Sequence, residues 1–255
     1  MVYVWFGAQY PAWSPDGRKI IFDAWAPNPS NWRMNIFVMN ADGSNQTRLT
    51  NNTRFDVYYR YPSWSPDGRK ILFNRTASVS RGAVDLDQIF VMDANGSNET
   101  NITNSSTVDQ EPVWSPDGSR IAFVRRSPVV SVPGEIYVMT ADGSDQVQLT
   151  TTIGADNDFP AWSPDGTKIV FSRQLVPSTH SNIYVMNADG SMQTRLTIAE
   201  ATEVCPTWSP DGTRITFVRG RIRFFMDADG SNQVPLSQVA HEYGPGRWQI
   251  FPATH

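Results

Sequence analysis

The chain has 255 residues, of which 40% are hydrophobic and 12% aromatic, so it is long enough to bury a sizeable core. Its 21 basic and 25 acidic residues give a net charge of −4, and no basic run would follow a phosphate backbone. No apolar stretch reaches the roughly 18 to 20 residues that a membrane span requires. These properties argue against a nucleic-acid partner and against a membrane span. The single cysteine, Cys205, excludes an internal disulfide.

After a short strand predicted over residues 2–6, one pentapeptide recurs along the whole chain. Trp-Ser-Pro-Asp-Gly begins at Trp13, Trp64, Trp114, Trp162 and Trp208, at intervals of 51, 50, 48 and 46 residues. Serine first, proline second and glycine fourth suit a type I turn. Each copy leads into an apolar-x-aromatic run that predicts a strand, at 20–22, 71–73, 121–123, 169–171 and 215–217.

A second turn recurs later in each repeat, after another predicted strand. These strands lie at 36–39, 89–92, 136–139, 183–186 and 222–226, and each is followed by Ala-Asp-Gly-Ser or Ala-Asn-Gly-Ser, which suits a primed hairpin turn. A last strand is predicted around Leu49, Ile102, Leu149, Leu196 and Leu236. Four antiparallel strands per unit of about 50 residues are typical of propeller blades. Because such repeats contact only their neighbours, one domain over residues 1–255 is predicted.

The repeat reads Pro-x-Trp-Ser-Pro-Asp-Gly, then Ile-x-Phe, then Ile-Tyr-Val-Met-x-Ala-Asp-Gly-Ser, then Arg-Leu-Thr, over roughly residues 9 to 237. This pattern resembles the repeat of the TolB-like, WD-type β-propeller family. The resemblance implies an all-β fold with five full four-stranded blades. The propeller is expected to be five-bladed, or six-bladed with a makeshift sixth blade from the two termini, at 2–6 and 247–251.

The resemblance also implies a location and a range of roles. It points to the bacterial envelope or exterior, so a periplasmic or extracellular protein is expected, with a cytoplasmic one as the alternative because the chain shows no export signal. The family's range of roles leaves function open. The first hypothesis is a binding module for a protein, peptide or glycan. The alternative is a small enzyme of the glycoside hydrolase, lyase or esterase type.

Variable loops are expected at 23–35, 74–88, 124–135 and 172–182, on the face opposite the recurring turns, and binding is predicted there. Trp25 and Trp32 lie in the first of these loops, where they either bind a sugar or protein or cover the first blade. Tyr59 and Arg60 belong to a second aromatic and basic cluster. Both clusters are candidate ligand-binding sites.

An arginine stands eleven residues after the repeat tryptophan in four of the five repeats, at Arg75, Arg125, Arg173 and Arg219. We predict that each arginine pairs with an acid of a neighbouring blade, which would fix blade register. The functional alternative is a ring of arginines that binds an anionic ligand.

Carboxylates gather just before the first strand of each repeat. Asp109, Asp158 and Glu203 are candidate ligands for a hard cation such as calcium, although no cofactor is required and the alternative is a set of ordinary surface acids. If the chain is an enzyme, Asp109 and Asp158 are candidate acid and base, and His180 is a third candidate catalytic residue. The sequence shows no nucleophile elbow, zinc-type histidine pair or phosphate-binding glycine loop.

Overall fold

The computed structural model describes residues 6–28, 31–54, 56–77, 86–128 and 132–236. These residues form twenty strands in five antiparallel sheets of four strands, each a meander that we call a blade. The predicted strand at 247–251, and residues 2–5 of the strand predicted at 2–6, lie outside the described residues. The predicted sixth blade therefore lies outside them as well.

The strands follow the repeat. Blade 1 contains β1 (Phe6–Trp13), β2 (Lys19–Asn28), β3 (Asn31–Asn40) and β4 (Thr47–Arg48). Blade 2 contains β5 (Val57–Trp64), β6 (Lys70–Ala77), β7 (Leu86–Asp93) and β8 (Thr100–Asn101). Blade 3 contains β9 (Val108–Trp114), β10 (Arg120–Arg126), β11 (Glu135–Thr140) and β12 (Val147–Gln148). Blade 4 contains β13 (Ala155–Trp162), β14 (Lys168–Leu175), β15 (Ser181–Asn187) and β16 (Thr194–Arg195). Blade 5 contains β17 (Glu203–Trp208), β18 (Arg214–Arg219), β19 (Ile222–Asp227) and β20 (Val234–Pro235).

The chain divides into two compact units. Within the described residues, unit 1 ends at Pro112 and contains blades 1 and 2. Unit 2 begins at Val113 and contains blades 3 to 5 apart from the first residues of β9. One domain over residues 1–255 stays a prediction.

The cores lie between successive blades. In unit 1, Ile21 and Ile36 of blade 1 pack in one cluster with Ile71, Phe73 and Met92 of blade 2. In unit 2, Trp162 of blade 4 packs in one cluster with residues of blade 3, and Trp208 of blade 5 packs with residues of blade 4. Three of the repeat tryptophans are buried, with exposures of 7 to 9%: Trp114, Trp162 and Trp208. For these three the prediction of a core position is confirmed.

The first recurring turn is the one that the pentapeptide predicts. In blade 1, the N–H of Gly17 donates to the carbonyl oxygen of Ser14 at 2.9 Å, and the Ser14 hydroxyl donates to Asp16 Oδ1 at 2.6 Å. The other four blades repeat the glycine-to-serine bond. Each pentapeptide therefore closes the hairpin between the first and second strands of its blade.

The second recurring turn differs from the primed turn that was predicted. In blade 1, the N–H of Gly43 donates to Asn40 at 2.9 Å, and Gly43 has a φ of +83°, whereas Asp42 does not take a positive φ. The reason is local: Asp42 Oδ1 accepts bonds from the N–H and hydroxyl of Ser44, at 2.9 and 2.6 Å. These bonds satisfy the aspartate at an ordinary φ, so the prediction of a primed turn was wrong.

Two glycines of this second turn give a matched pair for measuring how closely blades 1 and 2 approach. Gly43 and Gly96 have nearly equal φ angles, +83° and +86°, and both lie in unit 1. A Cβ on Gly43 would meet nothing within 4 Å, whereas a Cβ on Gly96 would lie 2.7 Å from the carbonyl oxygen of Leu49. The backbone of blade 2 thus approaches that of blade 1 in a way that only glycine allows.

We therefore expect unequal costs from the two alanine substitutions. Gly43→Ala should lower the free energy of unfolding by about 1 kcal/mol, the cost of a positive φ with a side chain. Gly96→Ala should cost about 2 kcal/mol more, because the backbone of Leu49 must also shift. Urea denaturation of both variants measures the difference. Equal losses would show that blade 2 tolerates a displacement at this turn.

The predicted variable loops are shorter than the sequence indicated. β2 and β3 pair residue by residue, with Trp25 opposite Met34 and Pro27 opposite Trp32, so most of 23–35 is sheet rather than loop. Similarly, β14 extends to Leu175 and β15 begins at Ser181 within the region predicted as a loop over 172–182.

Candidate functional site

Every first strand carries a distortion three residues before the repeat tryptophan. The residue there has a φ between 49° and 56° although it is not glycine, in the order Tyr10, Tyr61, Glu111, Phe159 and Cys205. The register of β1, β5, β13 and β17 shifts at this point, as in a β-bulge. In unit 1 the bulges bring the rings of Tyr10 and Tyr61 to 4.3 Å between centroids. Burial, with the Tyr10 hydrogen bond acting in the same direction, raises the pKa of Tyr61.

The four repeat arginines pack over aromatic rings of their own blades. Each guanidinium carbon lies 4.5 to 5.6 Å from the centroids of two rings: Arg75 over Tyr59 and Phe90, Arg125 over Phe123 and Tyr137, Arg173 over Phe171 and Tyr184, and Arg219 over Phe217 and Phe224. Such contacts are cation–π interactions. They place these arginines in the packing of the blade.

A residue just before the fourth strand holds each of these arginines. The partners are Glu99 for Arg75 at 3.0 Å, Gln146 for Arg125 at 2.8 Å, Gln193 for Arg173 at 2.6 Å, and Gln233 for Arg219. All four partners belong to the same blade as their arginine, so these four contacts do not join neighbouring blades. Arg173 also interacts electrostatically with Glu135 of blade 3, a neighbouring blade's acid as predicted. The signal that sequence reasoning missed is the Gln or Glu three residues after the glycine of the second turn. A ring of arginines that binds an anionic ligand stays a prediction.

The ion pair between neighbouring blades occurs one residue later, at Arg126. Arg126 of blade 3 binds Asp156 at 2.5 Å and also binds Asp158, both in blade 4. Burial raises the pKa of Asp158, and the charge of Arg126 opposes this shift. Asp158 is therefore held by a structural ion pair within unit 2.

The other two predicted metal ligands also have protein partners. Glu203 is fully buried and contacts Arg219 at 2.6 Å, Asn182 at 3.2 Å and the hydroxyl of Thr197. Asp109 is fully buried and accepts hydrogen bonds from Ser105 at 2.7 Å and Thr107 at 3.1 Å. Among the residues that the structure describes, no three His, Cys, Asp or Glu side chains are grouped to hold a metal ion. Calcium binding stays a prediction.

The residues of the predicted catalytic group are divided between the two units. Asp109 lies in unit 1, whereas Asp158 and His180 lie in unit 2. His180 is exposed between β14 and β15, and its main-chain N–H donates to the Ser178 hydroxyl at 3.0 Å. Within the described residues of unit 2, no hydrogen bond or ion pair joins His180 to Asp158.

The strongest cluster of candidate ligand-binding residues lies in unit 1, and we call it the blade 1–2 aromatic surface: Trp25, Trp32, Tyr58 and Arg60. Trp25 and Trp32 stand on the same face of the β2–β3 hairpin, because side chains alternate along a strand and Pro27 is opposite Trp32. The Trp25 ring meets the Tyr58 ring edge to face at 5.9 Å, and the Arg60 guanidinium lies 4.8 Å from the same Tyr58 ring. Trp32 is 45% exposed.

Two arginines near this surface, Arg54 and Arg33, are held by neighbouring groups. Arg54 binds Asp56 through two hydrogen bonds, of 3.0 and 2.8 Å, and this contact lowers the pKa of Asp56. Arg33 donates to the carbonyl oxygen of Trp32 at 2.9 Å. The predicted ligand contact Tyr59, in contrast, is only 7% exposed and stacks on Phe73 in the core.

Five four-stranded antiparallel blades that repeat one turn chemistry define the class: the protein is a β-propeller. Residues 76–175 and 154–244 match the TolB beta propeller domain, which together is more than half of the chain. The chain therefore belongs to the TolB β-propeller family, as the repeat pattern predicted.

Individual relatives support this assignment. A segment of 65 residues, 26% of this chain, is 45% identical to the Tol-Pal system protein TolB of Rhizorhabdus wittichii, and it spans 13% of that protein's length. The crystal structure of TolB from Acinetobacter baumannii has a TM-score of 0.72 at 23% identity, over 95% of this chain and 57% of that one. An oligogalacturonate lyase in complex with manganese has a TM-score of 0.59 at 13% identity, over 98% of this chain and 86% of that one. At these identities the two solved structures show the fold alone.

No helix in the described part of the chain is long and apolar enough to cross a membrane.

Proposed function

We propose that the chain is a binding module that engages a protein partner through the blade 1–2 aromatic surface. The observation that carries the proposal is the exposure of Trp32, which shares a strand face with Trp25 and so extends the contact of Trp25 with Tyr58. Tryptophan, tyrosine and arginine are the residues that most often dominate binding energy at protein interfaces. Here all three occur together on rigid strands rather than on loops.

The relatives support a binding role in outline. The similar Rhizorhabdus protein is named as a protein of the Tol-Pal system, and a protein that belongs to a system is expected to have protein partners. The bacterial envelope or exterior, as the repeat resemblance implies, is the location that we propose. A peptide is a part of the same proposal, since an extended segment would present its side chains to Trp32 and Arg60. A glycan ligand is the competing expectation, because sugar rings also stack on exposed tryptophan.

A peptide selection tests the proposal. The chain is immobilised, peptides are selected from a random library, and the affinity of the recovered peptides is measured for the wild type and for Trp32→Ala. We expect Trp32→Ala to weaken binding about tenfold or more, the usual effect of removing a central aromatic contact. Met192→Ala is the control, because Met192 is 75% exposed and lies in unit 2.

Thermal melting of both variants shows whether weaker peptide binding comes from a lost contact with the peptide or from loss of folding. Because exposed side chains contribute little to stability, we expect both variants to melt like the wild type. Recovered peptides that bind Trp32→Ala as well as the wild type would contradict the proposed surface. Binding of a glycan panel with the same dependence on Trp32, and no peptide recovered, would replace the protein partner with a sugar.

The enzyme alternative stays a prediction. Its two carboxylates, Asp109 and Asp158, each bind protein donors within their own unit. The likeness to an oligogalacturonate lyase is a likeness of fold. We propose no reaction for this chain.

A further inference from the structure

A cleft of about 530 Å³ opens in unit 2 between blade 4 and blade 5, on the side of the recurring turns. It combines an apolar wall with charged groups: Val185, Trp208, Lys168, Asp165, Asp211 and Asp229. This site is far along the chain from the blade 1–2 aromatic surface and does not depend on the function proposed for that surface.

The three carboxylates of the cleft are held in fixed positions with one oxygen unused. Each Oδ1 accepts a hydrogen bond of 2.6 Å from the serine of its own turn: Ser163 to Asp165, Ser209 to Asp211 and Ser231 to Asp229. Each Oδ2 makes no hydrogen bond to the residues that the structure describes. The serine bonds lower the pKa of all three, that of Asp211 to about 2, so the cleft stays negatively charged near neutral pH.

Trp208 supplies an aromatic wall that no cation of the described chain covers. Its side chain is only 7% exposed, and its indole Nε1 has no hydrogen-bond partner within the described ranges. Lys168, the nearest cation in the repeat, lines the cleft but forms no cation–π contact with this ring and no ion pair with the described carboxylates.

Blades 3 and 4 show which side chain can stack on a repeat tryptophan at the equivalent position. Trp162 is the repeat equivalent of Trp208, and Arg120 is the equivalent of Lys168, since each stands six residues after the tryptophan of its blade. The Arg120 guanidinium lies 4.7 Å from the centroid of the Trp162 ring. Its charge also contributes to the low pKa of Asp117, the equivalent of Asp165. Between blades 3 and 4, an arginine of the chain thus stacks on the repeat tryptophan, whereas Lys168 makes no such contact with Trp208.

We propose that the cleft between blades 4 and 5 binds the arginine side chain of a protein or peptide partner. The guanidinium stacks on Trp208 as Arg120 stacks on Trp162, and its N–H groups donate to the unused Oδ2 atoms on the rim. Planar arginine suits this arrangement better than lysine, because it both stacks on a ring and donates in a fork. The carboxylates are already held by their turns, so little ordering accompanies binding.

The test follows the indole N–H signals of the tryptophans by nuclear magnetic resonance during titration with three probes. The probes are N-acetyl-arginine amide, its lysine analogue and the uncharged citrulline analogue. We expect the arginine probe to shift the Trp208 signal and to bind about tenfold more tightly than citrulline, with lysine weaker than arginine. Equal binding of all three probes, or of arginine and lysine, would overturn the proposal.

Two substitutions, each of which introduces the residue type found at the equivalent position of the other blade, make the test specific. Lys168→Arg should fill the cleft from within and abolish the Trp208 shift, whereas Arg120→Lys should uncover Trp162 and make its signal respond to arginine. Asp229→Asn should weaken binding severalfold while keeping its turn, since Asn95 occupies the same turn position in blade 2 and holds Ser97 at 2.7 Å. Asp42→Asn in blade 1 is the matched control and should change nothing. A Trp208 shift that survives Lys168→Arg would show that the probe binds elsewhere.

Discussion

Replacing Asp23 by asparagine is expected to stabilise the protein, and the gain should grow as the pH rises from about 6 to about 8.5. Asp23 lies in the middle of β2, fully buried, and neither of its carboxyl oxygens has a hydrogen-bond partner among the described residues. Burial raises the pKa of Asp23 from 3.8 to about 8, although the charge of Arg60 acts in the opposite direction. The folded protein therefore holds a proton that the unfolded chain releases.

The sign of the pH dependence follows from this difference. A carboxyl whose pKa is higher in the folded state contributes most below its unfolded pKa, and its contribution is lost as the pH rises through the folded pKa. For Asp23 the loss begins near pH 3.8 and is complete above about pH 8. A shift of this size corresponds to at most about 6 kcal/mol. Asparagine does not ionise, so the variant should lack this loss.

Blade 2 already contains the proposed replacement. Asn74 is the repeat equivalent of Asp23, ten residues after the tryptophan. Its amide donates to the carbonyl oxygen of Asp109 at 2.8 Å, and its Oδ1 accepts from the N–H of Glu111 at 3.2 Å. The equivalent backbone groups for position 23 are those of Tyr59 and Tyr61, so an asparagine there should find the same two partners.

Urea denaturation at about pH 6 and about pH 8.5 measures the effect, and we expect the advantage of Asp23→Asn to increase by about 2 kcal/mol between the two. The reverse exchange, Asn74→Asp, is the control and should introduce a loss of stability that deepens with pH. A difference between Asp23→Asn and the wild type that is constant with pH would show that Asp23 is ionised in the folded state.

The sequence predicted the blades because their signals are local. The glycine and the aspartate of the first turn both hydrogen-bond to its serine within five residues, and the Ile-x-Phe alternation needs only the next strand. The same locality explains why Trp114, Trp162 and Trp208 could be assigned to the core. Each is surrounded by apolar residues whose spacing the repeat fixes.

The parts that the sequence did not predict depend on contacts across the fold. The hydrogen-bond partner of Arg75 was misassigned because Glu99 stands 24 residues from it, and only the pairing of β7 with β8 brings it near. The bulge residue before each repeat tryptophan varies, since Tyr, Glu, Phe and Cys all occupy it. A proline follows it in every repeat, but a residue before proline is usually extended, so the proline does not predict the positive φ. Trp25 and Trp32 were assigned to the loop predicted at 23–35, yet β2 and β3 pair throughout the described hairpin.

Trp162→Ala is expected to lower the free energy of unfolding by about 3 to 5 kcal/mol, the usual cost of removing a buried tryptophan. Trp162 is 7% exposed and packs in one cluster with Ala122, Ile136 and Val138 of blade 3. Its removal leaves a cavity between two blades rather than within one. Trp32→Ala, which removes a tryptophan that is 45% exposed, should cost less than about 1 kcal/mol.

Denaturant titration of the two alanine variants and of Trp162→Phe measures these costs. Trp162→Phe keeps an aromatic ring in the site and should recover part of the loss, so it stays informative if the alanine variant fails to fold. Comparable losses for Trp162→Ala and Trp32→Ala would contradict the assignment of Trp162 to the core between blades.

The contact of Arg120 with Trp162 should make a second, smaller contribution to the free energy of unfolding, and a double-mutant cycle isolates it. Arg120 stacks on Trp162 at 4.7 Å, so Arg120→Ala should cost stability in the wild type and nothing further when Trp162 is already alanine. The coupling energy expected for this cation–π pair, in which the arginine is partly exposed, is about 0.5 to 1 kcal/mol. A coupling near zero would mean that Arg120 merely lies over the ring, and it would weaken the comparison that assigns an arginine to the equivalent cleft beside Trp208.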